Sequence, residues 1–374
     1  MPTYRTPDVY VEEISVFPPS VAEVESAIPA FIGYTEKALR RGENIGLKPT
    51  MIRSYTQFQE YYGDPQPLET KVTVAADGKI TEIKPPEKLK HNLAYSLKMF
   101  YENGGGKCYV VSVGDYAKDV TFDDFEKGLA AVETEDEPTL IVFPEAVLLD
   151  DQKYGDLVQA ALRQCGSLKD RFGIFDVFEG NGDELDLEAS RARFGSENLK
   201  YGAAYFPFLR TSMNHWVTES EDNVKVKVGT AAEQGLGELK TENNALYNAI
   251  KAELVNHFVD LPPSGAVAGV YAATDTNRGV WKAPANVGLS RVVEPLVKVN
   301  NPDQGDMNID ASTGKSINVL RSFYGVTKVW GARTLDGNSN EWRYINVRRF
   351  FNMVEESVKK STYWAVFESN DANT

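Results

Sequence analysis

Cysteine and histidine are both scarce, at two Cys and three His in 374 residues. Cys108 and Cys165 are too few for a disulfide framework and are expected as free, partly buried thiols. His91, His215 and His257 lie far apart, without the i, i+4 spacing or the cysteine companions of a zinc site. His257 reads as the cationic end of a helix, a structural role. Long apolar runs are missing as well: stretches such as Leu140 to Phe143 fall far short of the roughly 20 residues a membrane helix needs. The opening MPTYRTPDVYVEEI has no basic region followed by an apolar one, so no signal peptide is visible and the cytosol is the default expectation. Positive charge is in deficit: 40 Lys plus Arg against 54 Asp plus Glu leave a net charge of −14. That sign argues against nucleic acid and anionic membranes as partners.

What is present is the composition of a folded protein, with 42% hydrophobic, 11% aromatic and 25% charged residues. The length implies two domains or three. Val9 and Val11 alternate with Tyr10 and Glu12 in an extended arm that Pro18-Pro19 ends, a strand that pairs within its own domain or is donated to another chain. From Ala27 onward strands and helices alternate: AIPAFIGYT as a buried strand, SYTQFQEYYG as a short helix closed by Gly63, and a hairpin over 71–83 turning at Asp77-Gly78 in type I′ geometry. Helices over 88–103, 122–132, 151–165 and 186–194 precede the apolar segments CYVVSV, TLIVFP, FGIFDVF and YGAAYFPF, which predicts an α/β sheet with crossover helices. Residues 209–242 read as an insertion, with Lys225 and Lys227 guarding an exposed edge strand. A helix over 243–258 follows, Pro262-Pro263-Ser264-Gly265 marks a domain boundary, and the chain closes with a helix over 346–360 and a strand YWAVF. On that last helix Val347, Phe350 or Phe351, Val354 and Val358 are expected to form the buried stripe, with Glu355–Lys359 and Glu356–Lys360 pairs outside.

Motifs that would carry chemistry fail on specific residues. Gly314-Lys315-Ser316 resembles the end of a phosphate loop, but Ile309 stands where its leading glycine is required. Asp306, Asn308 and Asp310 imitate a calcium loop that lacks its hinge glycine (Ala311) and its bidentate glutamate (Ile317). Gly288-Leu289-Ser290 opens like a nucleophile elbow, which Val292 then blocks, and the acidic run at 133–137 reads as a solvated loop. The unusual feature is the last third, where Trp281, Trp330, Trp342, Tyr344 and Trp364 interleave with Arg333, Arg343, Arg348 and Arg349. Interfaces favour this mixture, and so does a core with indoles packed against arginine stems.

Two stretches, DLPPSGAVAGVYAATDTNRGVWKAPAN at 260–286 and SINVLRSFYGVTKVWGARTLDGNSNEWRYINVRRFFNMVEESVKKSTYWAVFESND at 316–371, closely resemble contractile tail sheath proteins, as does the opening YRTPDVYVEEI. The family spans phage tails, phage-tail-like bacteriocins and extracellular contractile injection systems. The resemblance implies a two-domain α/β (α+β) fold. Residues 1–25 would be a linking arm, 26–260 a middle or outer α/β domain, and 261–374 an inner domain completed by the N-terminal end. It implies a non-enzymatic subunit, without cofactor or metal, that stacks in six-fold rings around an inner tube between baseplate and cap proteins. The sheath would be assembled in the bacterial cytoplasm and contract to drive the tube through a membrane without itself inserting.

Carried onto this sequence, Val9, Tyr10, Val11, Glu12 and Ile14 would be the donated strand. Arg343, Arg348, Arg349, Glu355, Glu356, Lys359 and Lys360 would approach the tube or a neighbouring subunit. Trp281, Lys282, Pro284, Trp330, Arg333 and Trp342 would form the core of the motif. The family usually has proline where Tyr324 and Ser369 stand and continues past WAVF with a C-terminal helix and linking strand, so either the sequence is partial or this is a sheath variant with altered linkage. An enzyme on the α/β middle and a static self-assembling coat are the alternatives. The first needs a cluster of convergent titratable groups, and the second lacks a shorter contracted state.

Overall fold

A computed structural model describes residues 22–86, 88–181 and 185–367. Its centre is a nine-stranded sheet in the order Val287–Gly288, Val326–Val329, Ile317–Phe323, Gly202–Phe206, Phe172–Asp176, Leu140–Val142, Pro29–Thr35, Cys108–Asp115, Thr50–Ile52. The six inner strands, from Ile317–Phe323 to Cys108–Asp115, are parallel, and the outer ones are antiparallel. Parallel strands need helical crossovers on both faces, which is why these segments read as unbroken apolar runs. Phe31, Val110, Ile174 and Tyr205 pack on one face beside the helices Leu93–Glu102 and Ser264–Arg278. Their alternates Ile32, Val111, Phe175 and Ala204 pack on the other, under Phe122–Glu133 and Asp151–Leu168. Both cysteines sit fully buried in these layers as free thiols, each pushed up to about 12 by that burial.

Two buried carboxylates set where the helices of the first face begin. Glu145 accepts the N–H groups of Asn92 and Leu93 at 2.8 and 3.0 Å, and that of Tyr34 at 2.8 Å. The helix expected from 88 therefore starts at Leu93, where its first free donors find this acceptor. Asp176 likewise accepts the Ser264 N–H at 2.7 Å at the head of the Ser264–Arg278 helix. Between the two helices Gly265 and Gly269 leave no room for a side chain: a Cβ would stand 2.5 Å from the Ser96 and Phe100 carbonyl oxygens respectively.

A smaller four-stranded sheet, ordered Gln234–Gly235, Val224–Val228, Thr70–Val74, Ile80–Lys84, encloses its own core with the helices Leu236–Glu242 and Asn244–Leu254. Lys225 and Lys227 thus lie on an inner strand paired on both sides, and not on the exposed edge expected from the sequence. The 70–84 hairpin is present, but its turn is not type I′. Gly78 alone takes a positive φ, 86°, its N–H bonds to Ala75 O at 2.9 Å, and Ala75 N–H bonds to Lys79 O at 2.9 Å. This three-residue loop places the left-handed residue last. The helix expected over 243–258 forms over Asn244–Leu254, capped by Asn243, whose side chain accepts the Leu246 N–H at 3.1 Å, and a separate short helix, Leu236–Glu242, precedes it. It ends at Leu254, so His257 lies beyond it, before the strand Phe258–Leu261. That strand, Leu209–Asn214 and Val292–Pro295 form a third sheet. Pro262 and Pro263 join a strand to the helix that begins at Ser264, and the nine-stranded sheet draws strands from both sides of this segment.

The Ile317–Phe323 and Val326–Val329 strands join through Tyr324 at φ 52° and Gly325 at φ 80°. This is the geometry of a type I′ turn, and the first position cannot hold proline, whose ring fixes φ near −65°. The closing segment YWAVF, expected as a strand, is a 3-10 helix over Tyr363–Phe367. It continues the Ile345–Thr362 helix with no strand beside it among the described residues. Among those residues no helix is long and apolar enough to cross a membrane.

Candidate functional site

The two ends of the described chain meet on the C-terminal helix, Ile345–Thr362. Its face toward the body is Ile345, Arg348, Arg349, Asn352, Met353, Glu356 and Ser357, so the apolar stripe read from the sequence is not the buried one. Phe351 and Val358 point outward, and Val347, Phe350 and Val354 are only half-buried. The decisive factor is that each inward arginine finds acceptors and an aromatic ring within reach.

Arg348, 2% exposed, donates to Asn352 Oδ1 and Glu355 Oε1, both at 2.8 Å, and its guanidinium lies 4.1 Å from the centre of the Trp342 ring. Arg349, 3% exposed, grips Asp275 of the Ser264–Arg278 helix through both carboxylate oxygens at 3.0 and 2.5 Å. It also donates to the Ser26 carbonyl at 2.8 Å and stacks 4.7 Å above Tyr271. Ser26 closes the triangle, its Oγ donating to Asp275 Oδ2 at 2.6 Å. Further along, the N–H groups of Val24 and Ala22 donate to Ser357 Oγ and Ser361 Oγ at 3.1 and 3.0 Å. The residues before 22, including Val9, Tyr10, Val11, Glu12 and Ile14, lie outside the described residues.

Beside this seam is a cleft of about 310 Å³ whose walls carry ion pairs. Lys107 meets Glu25 at 2.6 Å and Glu137 at 3.4 Å, while Lys360 meets Asp136 at 2.7 Å and Glu356 at 3.5 Å. The bond from Lys360 holds the Asp136 carboxyl below its usual range, and the Tyr109 hydroxyl, 2.7 Å away, does the same for Glu137. The Glu356–Lys360 pair forms as read from the sequence, whereas Lys359 turns to Glu356 at 3.2 Å because Glu355 is engaged by Arg348. Of the seven charged candidates, Glu355, Lys359, Lys360 and Arg343 retain exposed surface, and Arg348, Arg349 and Glu356 are buried inside this chain.

The motif residues divide similarly. Pro284 is buried, but Trp281 is 61% exposed, its ring lying over Gly279, which takes φ 87° and where a Cβ would collide with the indole at 2.3 Å. Lys282, Arg333 and Trp342 are half-buried, with Arg333 bonded to Gly337 O at 2.9 Å. Trp330 is partly exposed against Phe323, their ring centres 4.4 Å apart. Tyr363, Trp364, Val366 and Phe367, the last 95% exposed, extend an outward apolar face from the C-terminal helix. The sequence reading missed Asp275, Ser26, Ser357 and Ser361. A lone carboxylate inside the apolar run AGVYAATDT was the available sign for Asp275, because such a group needs a cation when buried.

The motifs rejected earlier are structural here. Lys315 Nζ donates to Arg191 O at 2.7 Å, and Asp310 accepts from the Ser312 and Thr313 N–H groups at 3.2 and 2.8 Å. Among the described residues no group of three His, Cys, Asp or Glu side chains could hold a metal ion.

No family model matches the chain. It is similar to the tail sheath protein of Enterobacteria phage T4, at 28% identity over 134 residues, 36% of this chain and 20% of the phage protein. It is also similar to a putative prophage major tail sheath protein of Pseudomonas aeruginosa, at 30% over 112 residues, 28% of this chain and 27% of that protein. The matches therefore span about a quarter or less of these relatives. In three dimensions it resembles the contracted PVC sheath complex of an extracellular contractile injection system, with TM-score 0.60 and 26% identity over 99% of this chain and 78% of that one.

Proposed function

We propose that this chain, which belongs to the contractile tail sheath family, is a structural subunit of a contractile sheath that polymerises as stacked rings around an inner tube and shortens to drive that tube forward. The observation that carries the reading is the likeness along 99% of the chain to a sheath subunit in its contracted state. Local geometry supports it. Both described chain ends run along one helix, and that helix and the turn that continues it present Phe351, Val358, Tyr363, Trp364 and Phe367 outward, as an assembling surface requires. Partners on this reading are further copies of the chain in six-fold rings, an inner tube protein, and baseplate and cap proteins, with assembly in the bacterial cytoplasm.

A structural role also fits the buried ionisable groups. Glu145 and Asp176 are each pushed up to about 7 by burial, and each caps a helix against the sheet. Groups committed in this way hold elements together and do not face a substrate. Contraction needs no bound nucleotide if the long form is kinetically trapped, since a few kcal/mol per subunit released by repacked interfaces adds up over many subunits. Coexpression with the tube protein followed by electron microscopy tests the reading. Rings or hollow tubes support it, and discrete monomers or dimers refute it.

A further inference from the structure

We infer that residues 22–28 and the C-terminal helix form a single lock keyed by Arg349, which opens and closes as one unit and holds both segments against the body. What the lock means for assembly rests on the sheath reading; the lock itself is a property of the single chain. Three elements converge on it: the N-terminal segment through Ser26, the Ser264–Arg278 helix through Asp275, and the C-terminal helix through Arg349. Each of the three residues bonds to both of the others, Ser26 through its hydroxyl to Asp275 and through its carbonyl to Arg349, so loss of the guanidinium leaves two polar groups short of a partner and loss of the hydroxyl leaves one.

The seam beyond the lock is matched in length. Val24 and Ala22 are two residues apart on an extended chain, a step of about 6.6 Å, and Ser357 and Ser361 are four apart on a helix, a step of about 6 Å. Ser357 and Ser361 therefore keep step with Val24 and Ala22, while the eight helical residues from Arg349 to Ser357, about 12 Å, face the two-residue step from Ser26 to Val24, a mismatch that the long Arg349 side chain bridges. Three hydrogen bonds of 2.8 to 3.1 Å cross the seam, and such bonds depend on geometry far more steeply than apolar packing does. If the helix shifts, the segment loses its acceptors in the same movement. Arginine is required at the key position because its planar fork serves a carboxylate and a carbonyl at once, and a lysine ammonium cannot span both.

Hydrogen exchange of the soluble full-length chain tests this with Arg349→Lys, and with Ser26→Ala, which deletes one hydroxyl and folds even where the arginine variant does not. Expected for Arg349→Lys is faster exchange, by about tenfold or more, at residues 22–28 and 345–361 together and by the same factor, with the Pro29–Thr35 strand unchanged. Ser26→Ala should loosen the same two segments by a smaller common factor. Response of one segment without the other, or equal loosening of the whole sheet, would overturn the lock. The outcome is independent of the assembly reading: tubes without coupled exchange reject the lock alone, and coupled exchange without tubes rejects the sheath alone.

Discussion

The tightest contact in the fold is between two helices, and Gly269→Ala tests it with an outcome whose sign is diagnostic. The added methyl would stand 2.5 Å from Phe100 O and 2.8 Å from Asn103 Cβ, where real contacts stay above 3.0 Å. The oxygen belongs to the backbone of a helix whose start is fixed by Glu145, so it cannot rotate aside, and the helices must part by about half an ångström. Overpacking of this kind costs up to about 3 kcal/mol, from which the better helix propensity of alanine recovers about 1, for a net loss of about 2 kcal/mol. In a chain this long, that lowers Tm by about 2 to 3 °C. Gly265→Ala meets Ser96 O at 2.5 Å and behaves alike, and the double variant loses less than the sum because the two sites share one interface. Urea and thermal unfolding of the unassembled chain, followed by circular dichroism, read the effect. Helix propensity alone would make both variants more stable than the parent, and that result would refute backbone contact between these helices.

Other perturbations follow from single sites. Tyr324→Gly relieves a left-handed residue at an exposed turn and should stabilise the chain by about 0.5 to 1 kcal/mol, whereas Tyr324→Pro should destabilise it; both are read by urea unfolding. Asp136 and Glu137 titrate below their ordinary values of 3.8 and 4.5 in the folded chain, so their contribution is complete above those values and fades as pH falls through and beneath them. Proteolysis of the 22–28 segment should therefore accelerate as the pH drops below about 4.5, and less so in Asp136→Asn, which has already lost part of the contact. Phe367→Asp alters a side chain that touches little, so it should leave the unfolding midpoint within about 0.5 kcal/mol of the parent while reducing assembly seen by light scattering.

The parallel sheet was legible because strands buried on both faces must be apolar throughout, and the Tyr55–Tyr62 helix was legible because Ser54 and Gly63 cap it as their residue types demand. The inner position of Val224–Val228 was not, since its neighbour Thr70–Val74 lies more than 150 residues earlier and no local pattern encodes that pairing. The C-terminal helix shows the main limit. Phe351 and Val358 offered the conventional apolar stripe, yet Arg348 and Arg349 are the residues buried. Their acceptors, Asp275 and Ser26 among them, come from elsewhere in the chain, and a helical pattern carries no trace of them. The resemblance to sheath proteins rests partly on the same physics: the glycines of GAVAG permit the close helix contact, and Gly279 makes room for Trp281.

The central claim is that the chain is a subunit of a contractile sheath, and electron microscopy of the protein coexpressed with its tube partner tests it most directly. The account predicts hollow tubes of stacked six-fold rings in two forms, one long and narrow, the other short and wide. Discrete monomers or dimers in the presence of the tube would contradict it, and so would tubes of one fixed length and diameter, which would make the chain a static coat.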